Sequence, residues 1–286
     1  MIRVDVATPE SFEEVLPLFD VFRNPPIPAE RWRRLFHYTW PCEDRMRGFI
    51  LRDGERTVGF FGTILYDRII EGRVEKFANL TSWVTLPEYR NHSLRLFEAV
   101  VSIEDRTLTC LTAIPTMVPL YRRFGFQDLE TKWMVLLPVP VPWKPLGWFR
   151  GRITTNPDVI ATELRGEQRE FFCHLRAADC EQMLIRYRGA RCHVVYTRTK
   201  GLRFHFSRIH YISNHEVFHA CFDHIRWRMA CANRTLLLAI GARLLHDKIP
   251  PMSRETHLAQ VAVYRSKTLR PEQIDNLYSE VMLLGL

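Results

Sequence analysis

Residues 85–95 read Thr-Leu-Pro-Glu-Tyr-Arg-Asn-His-Ser-Leu-Arg and decide the fold class, because they join a strand pattern to a helix pattern. Residues 74–86 have the alternation of a strand, and residues 92–103 have apolar side chains at helical spacing. A helix that begins directly after a strand has unpaired N–H groups at the positive end of its dipole. The segment therefore predicts an anion site of the kind that binds phosphate.

Outward from this segment, the first half of the chain alternates between strands and helices. Strands are predicted at 3–7, 47–52, 57–70, 74–86, 108–114 and 131–138, and helices at 9–22, 29–39, 92–103 and 117–123. The turns Asp53-Gly54 and Glu71-Gly72 join the three middle strands, which are therefore predicted to be antiparallel. This order predicts the α/β class, with a mixed and mostly antiparallel central sheet that is flanked by helices.

The second half repeats part of this order. A shift of 128 residues places the strand at 77–85 on 205–213, and places the start of the next strand at 106–108 on 234–236. Between the halves, residues 138–151 contain a run of prolines, which neither a helix nor a central strand accommodates. We therefore expect one domain at 1–138, a proline-rich linker at 139–151 and a second domain of the same type at 152–286.

Composition narrows the class of function. The 286 residues include 40 Lys and Arg against 32 Asp and Glu, which gives a net charge of +8. The basic residues form no dense block, so we expect no nucleic acid partner, and a polyphosphorylated small molecule suits the charge. No apolar run has the 18 or so residues of a membrane span, so we expect no membrane partner. Seven scattered cysteines and a start without a signal sequence predict a cytoplasmic protein, whose oligomeric state the sequence does not indicate.

A second motif lies about thirty residues after the turn. It reads Tyr121-Arg122-Arg123-Phe124-Gly125-Phe126. Together, the two segments resemble the GNAT superfamily of acyl-CoA-dependent N-acyltransferases. Pro87 and Arg90 match the family's "Pro-x-x-(Arg/Gln)-x-x-Gly-x-(Gly/Ala)" turn, and 121–126 matches its "Tyr-x-x-x-Gly-Phe". The resemblance covers residues 2–138, and 152–286 looks like a degenerate GNAT-like repeat in which Phe218 takes the place of Arg90.

The resemblance implies an enzyme that moves an acetyl or other acyl group from acyl-CoA to an amine of a small molecule or peptide, directly and in a ternary complex. It implies that backbone N–H groups near Thr85 and Leu86 polarise the acyl carbonyl, and that Tyr121 protonates the departing thiolate. The remaining residues implied at the cofactor are Arg90, Asn91, His92, Ser93, Leu94 and Arg95.

Two of these residues depart from the family pattern, because Ser93 and Arg95 stand where the family has small residues. The Ser93 hydroxyl is able to donate to a phosphate oxygen, whereas Arg95 either clamps the pyrophosphate or closes the turn. A catalytically inactive ligand- or partner-binding module is therefore an alternative. No general base is identified. Residues 19–44, with Trp32 and Trp40, are expected to shape the acceptor pocket, and residues 271–284 to form one amphipathic helix packed in the core.

A second alternative rests on His215-Glu216-Val217-Phe218-His219, which fits the His-Glu-x-x-His signature of zinc hydrolases. On a helix, the two histidines lie one turn apart and the glutamate is placed to activate water. However, Asn214 is predicted to cap this helix, so the motif falls in its first turn, and a third ligand is hard to place. We therefore predict no metal site.

Overall fold

The computed structural model describes residues 1–22, 27–137, 151–178, 180–200, 205–235, 237–246, 248–257 and 260–285. In these residues the chain forms two compact units. Unit 1 comprises Met1–Leu129, Gln260–Arg270 and Tyr278–Leu284, and unit 2 comprises Glu130–Ala259, Pro271–Leu277 and Gly285–Leu286. The proline-rich linker predicted at 139–151 lies outside the described residues except for its last position.

The strands in chain order are β1 Ile2–Ala7, β2 Gly48–Asp53, β3 Arg56–Ile70, β4 Arg73–Thr85, β5 Thr107–Ala113, β6 Gln127–Glu130, β7 Trp133–Leu136, β8 Arg152–Thr154, β9 Glu181–Tyr187, β10 Ala190–Lys200, β11 His205–Ile212, β12 Leu237–Gly241, β13 Ser253–Thr256 and β14 Val261–Arg265. The α-helices are α1 Phe12–Val15, α2 Ala29–Arg33, α3 Ser93–Val101, α4 Val118–Arg123, α5 Pro157–Glu163, α6 Gly166–His174, α7 His215–Asn233 and α8 Glu280–Leu284.

Each unit contains a seven-stranded mixed sheet. The strand order is β1-β2-β3-β4-β5-β14-β6 in unit 1 and β13-β7-β12-β11-β10-β9-β8 in unit 2. Among the pairings described, β4–β5 and β11–β12 are parallel and the others are antiparallel. In each unit a helix, α3 or α7, joins the two parallel strands and packs on the sheet. The predicted fold class and the repeat of strand, helix and strand are therefore confirmed.

The division of the chain is not the linear one expected at residue 138. Strand β7, predicted as the last strand of the first domain, pairs with β12 and β13 in the sheet of unit 2. Strand β14, near the other end of the chain, pairs with β5 in the sheet of unit 1. The sequence does not indicate which strands pair when they lie far apart along the chain. Alternation of apolar and polar residues predicts a strand but does not identify its partner.

Several predicted helices are shorter than expected. The segment 9–22 forms a 3-10 turn, the single turn α1 and a second 3-10 turn, and 29–39 contributes only α2. The predicted helix at 271–284 is also wrong as a single element: a 3-10 turn over Pro271–Gln273 is followed by α8, and Tyr278 between them has a left-handed φ of 58°. Its apolar residues are nevertheless buried, as expected.

Candidate functional site

Strands β4 and β5 run parallel but separate before either strand ends. Their last paired residues are Asn79 and Thr109, after which β4 continues for six residues and β5 for four. The register between β3 and β4 also shifts at Ser82, whose φ is 55°. Such a bulge bends its strand and leaves one residue out of the ladder. We call the space between residues 80–85 and 110–113 the β4–β5 opening.

The turn that follows β4 is a 3-10 helix over Pro87–His92, which leads directly into α3. Arg90 and Asn91 are exposed in this turn, and among the described residues no hydrogen bond or ion pair occupies the Arg90 guanidinium. His92 is half-buried at the N-cap of α3, and Leu94 is exposed. The turn therefore presents one cation to solvent at the start of a helix, where the helix dipole also attracts an anion.

The two residues that depart from the family pattern each have a hydrogen-bond partner. Thr85 Oγ1 donates to Ser93 Oγ at 3.1 Å, so the Ser93 hydroxyl keeps its own hydrogen to donate. Arg95 Nη1 donates to the Ile2 carbonyl of β1 at 3.1 Å. Because the Arg95 guanidinium is held against β1, this geometry supports neither a clamp on the pyrophosphate nor a closed turn.

One of the two expected oxyanion donors is already occupied. The Leu86 N–H donates to the Val58 carbonyl at 2.9 Å, which extends the ladder between β3 and β4. This N–H is therefore unavailable to an acyl oxygen, and the expectation for Leu86 is corrected. The bulge at Ser82 is the better position for a backbone donor, since the ladder is interrupted there.

Tyr121 is positioned by the Tyr-x-x-x-Gly-Phe motif, whose glycine ends α4. Gly125 has a φ of 83°, and its N–H donates to the Arg122 carbonyl, as glycines at helix ends commonly do. The next N–H, of Phe126, donates back to the Tyr121 carbonyl, so the two rings meet edge to face with centroids 5.1 Å apart. The motif therefore locks the tyrosine against the sheet.

The Tyr121 side chain lies beside the β4–β5 opening. It is 3% exposed, and its hydroxyl donates to the Cys110 sulfur of β5 at 3.6 Å. Burial raises the pKa of Tyr121 well above its usual range, and the neighbouring Cys110 and Glu280 add to the shift. Burial, together with the charge of Glu280, raises the pKa of the Cys110 thiol to about 12. Both groups therefore stay protonated at neutral pH.

Two polar residues of this region were not found from the sequence. Asn79 is fully buried where β4 and β5 part, and its Nδ2 donates to Thr109 Oγ1 at 3.0 Å. Glu280 is fully buried at the start of α8, and its backbone N–H donates to Asn79 Oδ1 at 2.9 Å. The only signal in the sequence is a lone carboxylate at 277–284, within the segment 271–284 that is interpreted as a core-packing helix.

The two tryptophans expected to shape the acceptor pocket pack into the core instead. Trp32 stacks on Phe19 with centroids 4.1 Å apart, and Trp40 stacks on Tyr38 at 4.5 Å. The Trp40 indole N–H also donates to the Leu65 carbonyl. Because both tryptophans are less than 8% exposed, they do not line an open pocket.

The histidines of the His-Glu-x-x-His segment contact other groups of unit 2. Asn214 caps α7 as predicted, by accepting from the Val217 N–H at 3.1 Å. His215 stacks on the ring of His246 with centroids 3.7 Å apart, and His219 Nε2 lies 3.0 Å from the Leu245 carbonyl. In the parts of the chain that the structure describes, no three His, Cys, Asp or Glu side chains are grouped to hold a metal ion.

Comparison with known proteins decides the family of the first unit. Residues 3–128 match the family model described as an acetyltransferase (GNAT) domain. This region is a GNAT domain. The match covers β1 to β5, the turn at Pro87–His92 and Tyr121, which confirms the resemblance stated from the sequence. No curated protein matches the chain significantly.

Solved structures of the GNAT fold resemble the whole chain. A probable N-acyltransferase from Enterococcus faecalis aligns over 95% of this chain and 74% of its own, with a TM-score of 0.61 and 15% identity. A GCN5-related N-acetyltransferase from Anabaena variabilis aligns over 93% and 72%, with a TM-score of 0.59 and 10% identity. N-myristoyltransferase from Saccharomyces cerevisiae, solved with bound myristoyl-CoA, aligns over 100% and 84%, with a TM-score of 0.54 and 10% identity. At these identities the likeness shows the fold, which is that of tandem GNAT-like domains.

None of the helices in the described residues combines the length and the apolar character that a bilayer crossing needs.

Proposed function

We propose that this protein transfers an acyl group from acyl-CoA directly to an amine. The observation that carries the proposal is the β4–β5 opening of the GNAT domain, with the turn bearing exposed Arg90 directly after β4 and the Tyr121 hydroxyl beside β5. A thioester in this opening has an anion site at one end and a proton donor at the other. The cofactor would supply an acyl group that is activated as a thioester.

The residues of the turn fit a pyrophosphate. The Arg90 guanidinium is exposed and offers paired N–H donors, which bind phosphate oxygens strongly. Asn91 is exposed beside it, and the Ser93 hydroxyl retains a hydrogen to donate. Since Arg95 is held on β1, its bulk does not fill the turn. The net charge of +8 favours the approach of a polyphosphorylated cofactor.

The protonation states near β5 support direct transfer over an acyl-enzyme intermediate. A nucleophilic cysteine acts as a thiolate, whereas the pKa of Cys110 is raised to about 12 and the side chain is 5% exposed. The Tyr121 phenol is protonated at neutral pH, as a donor to the departing CoA thiolate must be, and its hydroxyl lies beside β5. We assign Tyr121 as that acid.

The acceptor class in this proposal is a small-molecule or peptide amine, and the site of action is the cytoplasm. All seven cysteines are free, which suits a reducing compartment.

Thermal unfolding with acetyl-CoA, and separately with a longer acyl-CoA, tests the first step. At a hundredfold excess over the dissociation constant, binding stabilises a protein by about 2.7 kcal/mol. For a chain of this size we expect the melting temperature to rise by about 5–10 °C. Release of free CoA in the presence of an amine panel then tests the second step.

Each outcome has a consequence for the proposal. A rise in melting temperature and amine-dependent release of CoA would support acyl transfer. A rise without release by any amine would support the binding module. No rise with either thioester would refute acyl-CoA binding.

A further inference from the structure

The buried carboxylate of Glu280 lies in the β4–β5 opening. Its Oε1 accepts from the Leu111 backbone N–H at 3.0 Å and from Thr112 Oγ1 at 2.9 Å, and both donors belong to β5. Its backbone N–H donates to Asn79 of β4 at 2.9 Å. Glu280 therefore contacts both strands at the point where they part.

The two oxygens of this carboxylate have different surroundings. Oε1 satisfies the β5 donors that the departing β4 leaves unpaired, but Oε2 is buried and has no hydrogen-bond partner among the described residues. No described cation pairs with Glu280 either. A buried, unpaired carboxylate oxygen is unfavourable, so a purely structural role would be served better by a neutral acceptor.

Glu280 is a neighbour of Tyr121, the group assigned as the acid in the transfer. Its charge contributes to the raised pKa values of Cys110 on β5 and Tyr121 on α4. Burial raises the pKa of Glu280 itself above 4.5. Among the described residues, the charged side chain of Arg31 on α2 also meets α8, where it donates to the Leu284 carbonyl at the far end of the helix. A raised pKa makes a carboxylate a better proton acceptor for an amine.

We propose that Oε2 of Glu280 accepts the proton of the reacting amine, an inference that rests on the proposed acyl transfer. The amine nitrogen forms a bond to the thioester carbon, and its proton passes to Oε2. The carbon–sulfur bond then breaks, and the CoA thiolate leaves with the electron pair and takes a proton from the Tyr121 hydroxyl. Glu280 afterwards releases its proton to solvent and Tyr121 regains one. The net reaction is an acyl-CoA and an amine giving an amide and CoA.

The test compares the pH dependence of kcat in the wild-type protein and in Glu280→Gln, with acetyl-CoA and an accepted amine. Gln keeps an acceptor for the Leu111 N–H and the Thr112 hydroxyl but removes the basic oxygen. We expect unchanged acetyl-CoA affinity, a fall in kcat of about 10²- to 10⁴-fold, and loss of the acidic limb of the profile. Glu130→Gln, at a buried glutamate of unit 2 whose pKa burial also raises, is the matched control and should leave kcat unchanged.

If Glu280→Gln does not fold, a second variant tests whether Glu280 accepts the proton. Thr112→Val removes a hydrogen bond that lowers the pKa of Glu280, so it should move the acidic limb to higher pH. An unmoved limb would overturn the proposal.

The outcomes separate this inference from the proposed function. A folded Glu280→Gln variant with kcat within about threefold of wild type would overturn the role of Glu280 while leaving acyl transfer standing. A wild-type protein that neither binds acetyl-CoA nor releases CoA would overturn both, and so would binding without release by any amine.

Discussion

Asn79→Ala should destabilise the protein far more than an asparagine-to-alanine change on its surface. Asn79 is fully buried, its Nδ2 donates to Thr109 Oγ1, and its Oδ1 accepts from the Glu280 N–H. Asn79 is the last residue of β4 that pairs with β5, and its side chain bonds to both β5 and α8. Removing it leaves the buried Glu280 N–H without a partner.

The magnitude follows from these two bonds. An orphaned buried donor costs about 1–3 kcal/mol, and the lost bond to the Thr109 hydroxyl, which is able to rotate, costs about 0.5–1.5 kcal/mol. Lost packing adds to both, so we expect a decrease in the free energy of unfolding of about 2–5 kcal/mol. Thr109→Val breaks only the second bond and should cost about 1 kcal/mol. Asn91→Ala, in the exposed turn, should change stability by no more than about 0.5 kcal/mol.

Urea unfolding of the ligand-free protein, followed by far-ultraviolet circular dichroism, measures the difference. With a slope of about 2 kcal/mol per molar, Asn79→Ala should lower the midpoint by about 1–2.5 M relative to wild type. A midpoint within about 0.5 M of that of Asn91→Ala would refute the reasoning, since the buried bonds would then contribute nothing beyond a surface amide.

Three further predictions concern the cofactor, the acid and the response to pH. Arg90→Gln should weaken acetyl-CoA binding by about 10- to 100-fold in titration calorimetry, because it removes a charge-assisted hydrogen bond to phosphate. Arg122→Gln, on the surface of α4, is the control and should leave the affinity unchanged. Unchanged affinity in Arg90→Gln would contradict the assignment. Tyr121→Phe should lower kcat by about 10²-fold or more in the CoA-release assay while costing less than about 1 kcal/mol in stability, because within the described parts of the chain the hydroxyl has only the long bond to Cys110. Equal turnover would exclude the acid role. Burial lowers the pKa of His193 from 6.5 to about 4, so the unfolded chain binds the extra proton between these values and stability should fall as pH falls through that window. His193 should contribute about 2 kcal/mol of the loss between pH 7 and pH 5 in urea unfolding, and His193→Gln should reduce the loss by about that amount. An equal loss in the variant and the wild type would contradict this.

Local patterns alone establish the class of this fold and the family of its first half. The alternation over 57–70 and 74–86, with the Glu71-Gly72 turn between them, predicts the β3–β4 hairpin that the structure contains. The spacing of Pro87, Arg90 and Tyr121 reveals the GNAT domain, because each of these motifs is built from neighbours in the chain. In the same way, Asn214 is recognisable as the cap of α7.

Only the tertiary structure shows what lies in the β4–β5 opening. Glu280 meets Asn79 across 201 residues of sequence, and Arg95 meets Ile2 across 93, so neither contact has a local signal. The departure at Arg95 appears severe in the turn motif, yet the side chain is held on β1. The pairing of β14 with β5 likewise depends on which edges are open once β4 and β5 have formed. Short-range spacing encodes elements and motifs, whereas the partners of a buried carboxylate depend on how the whole chain packs.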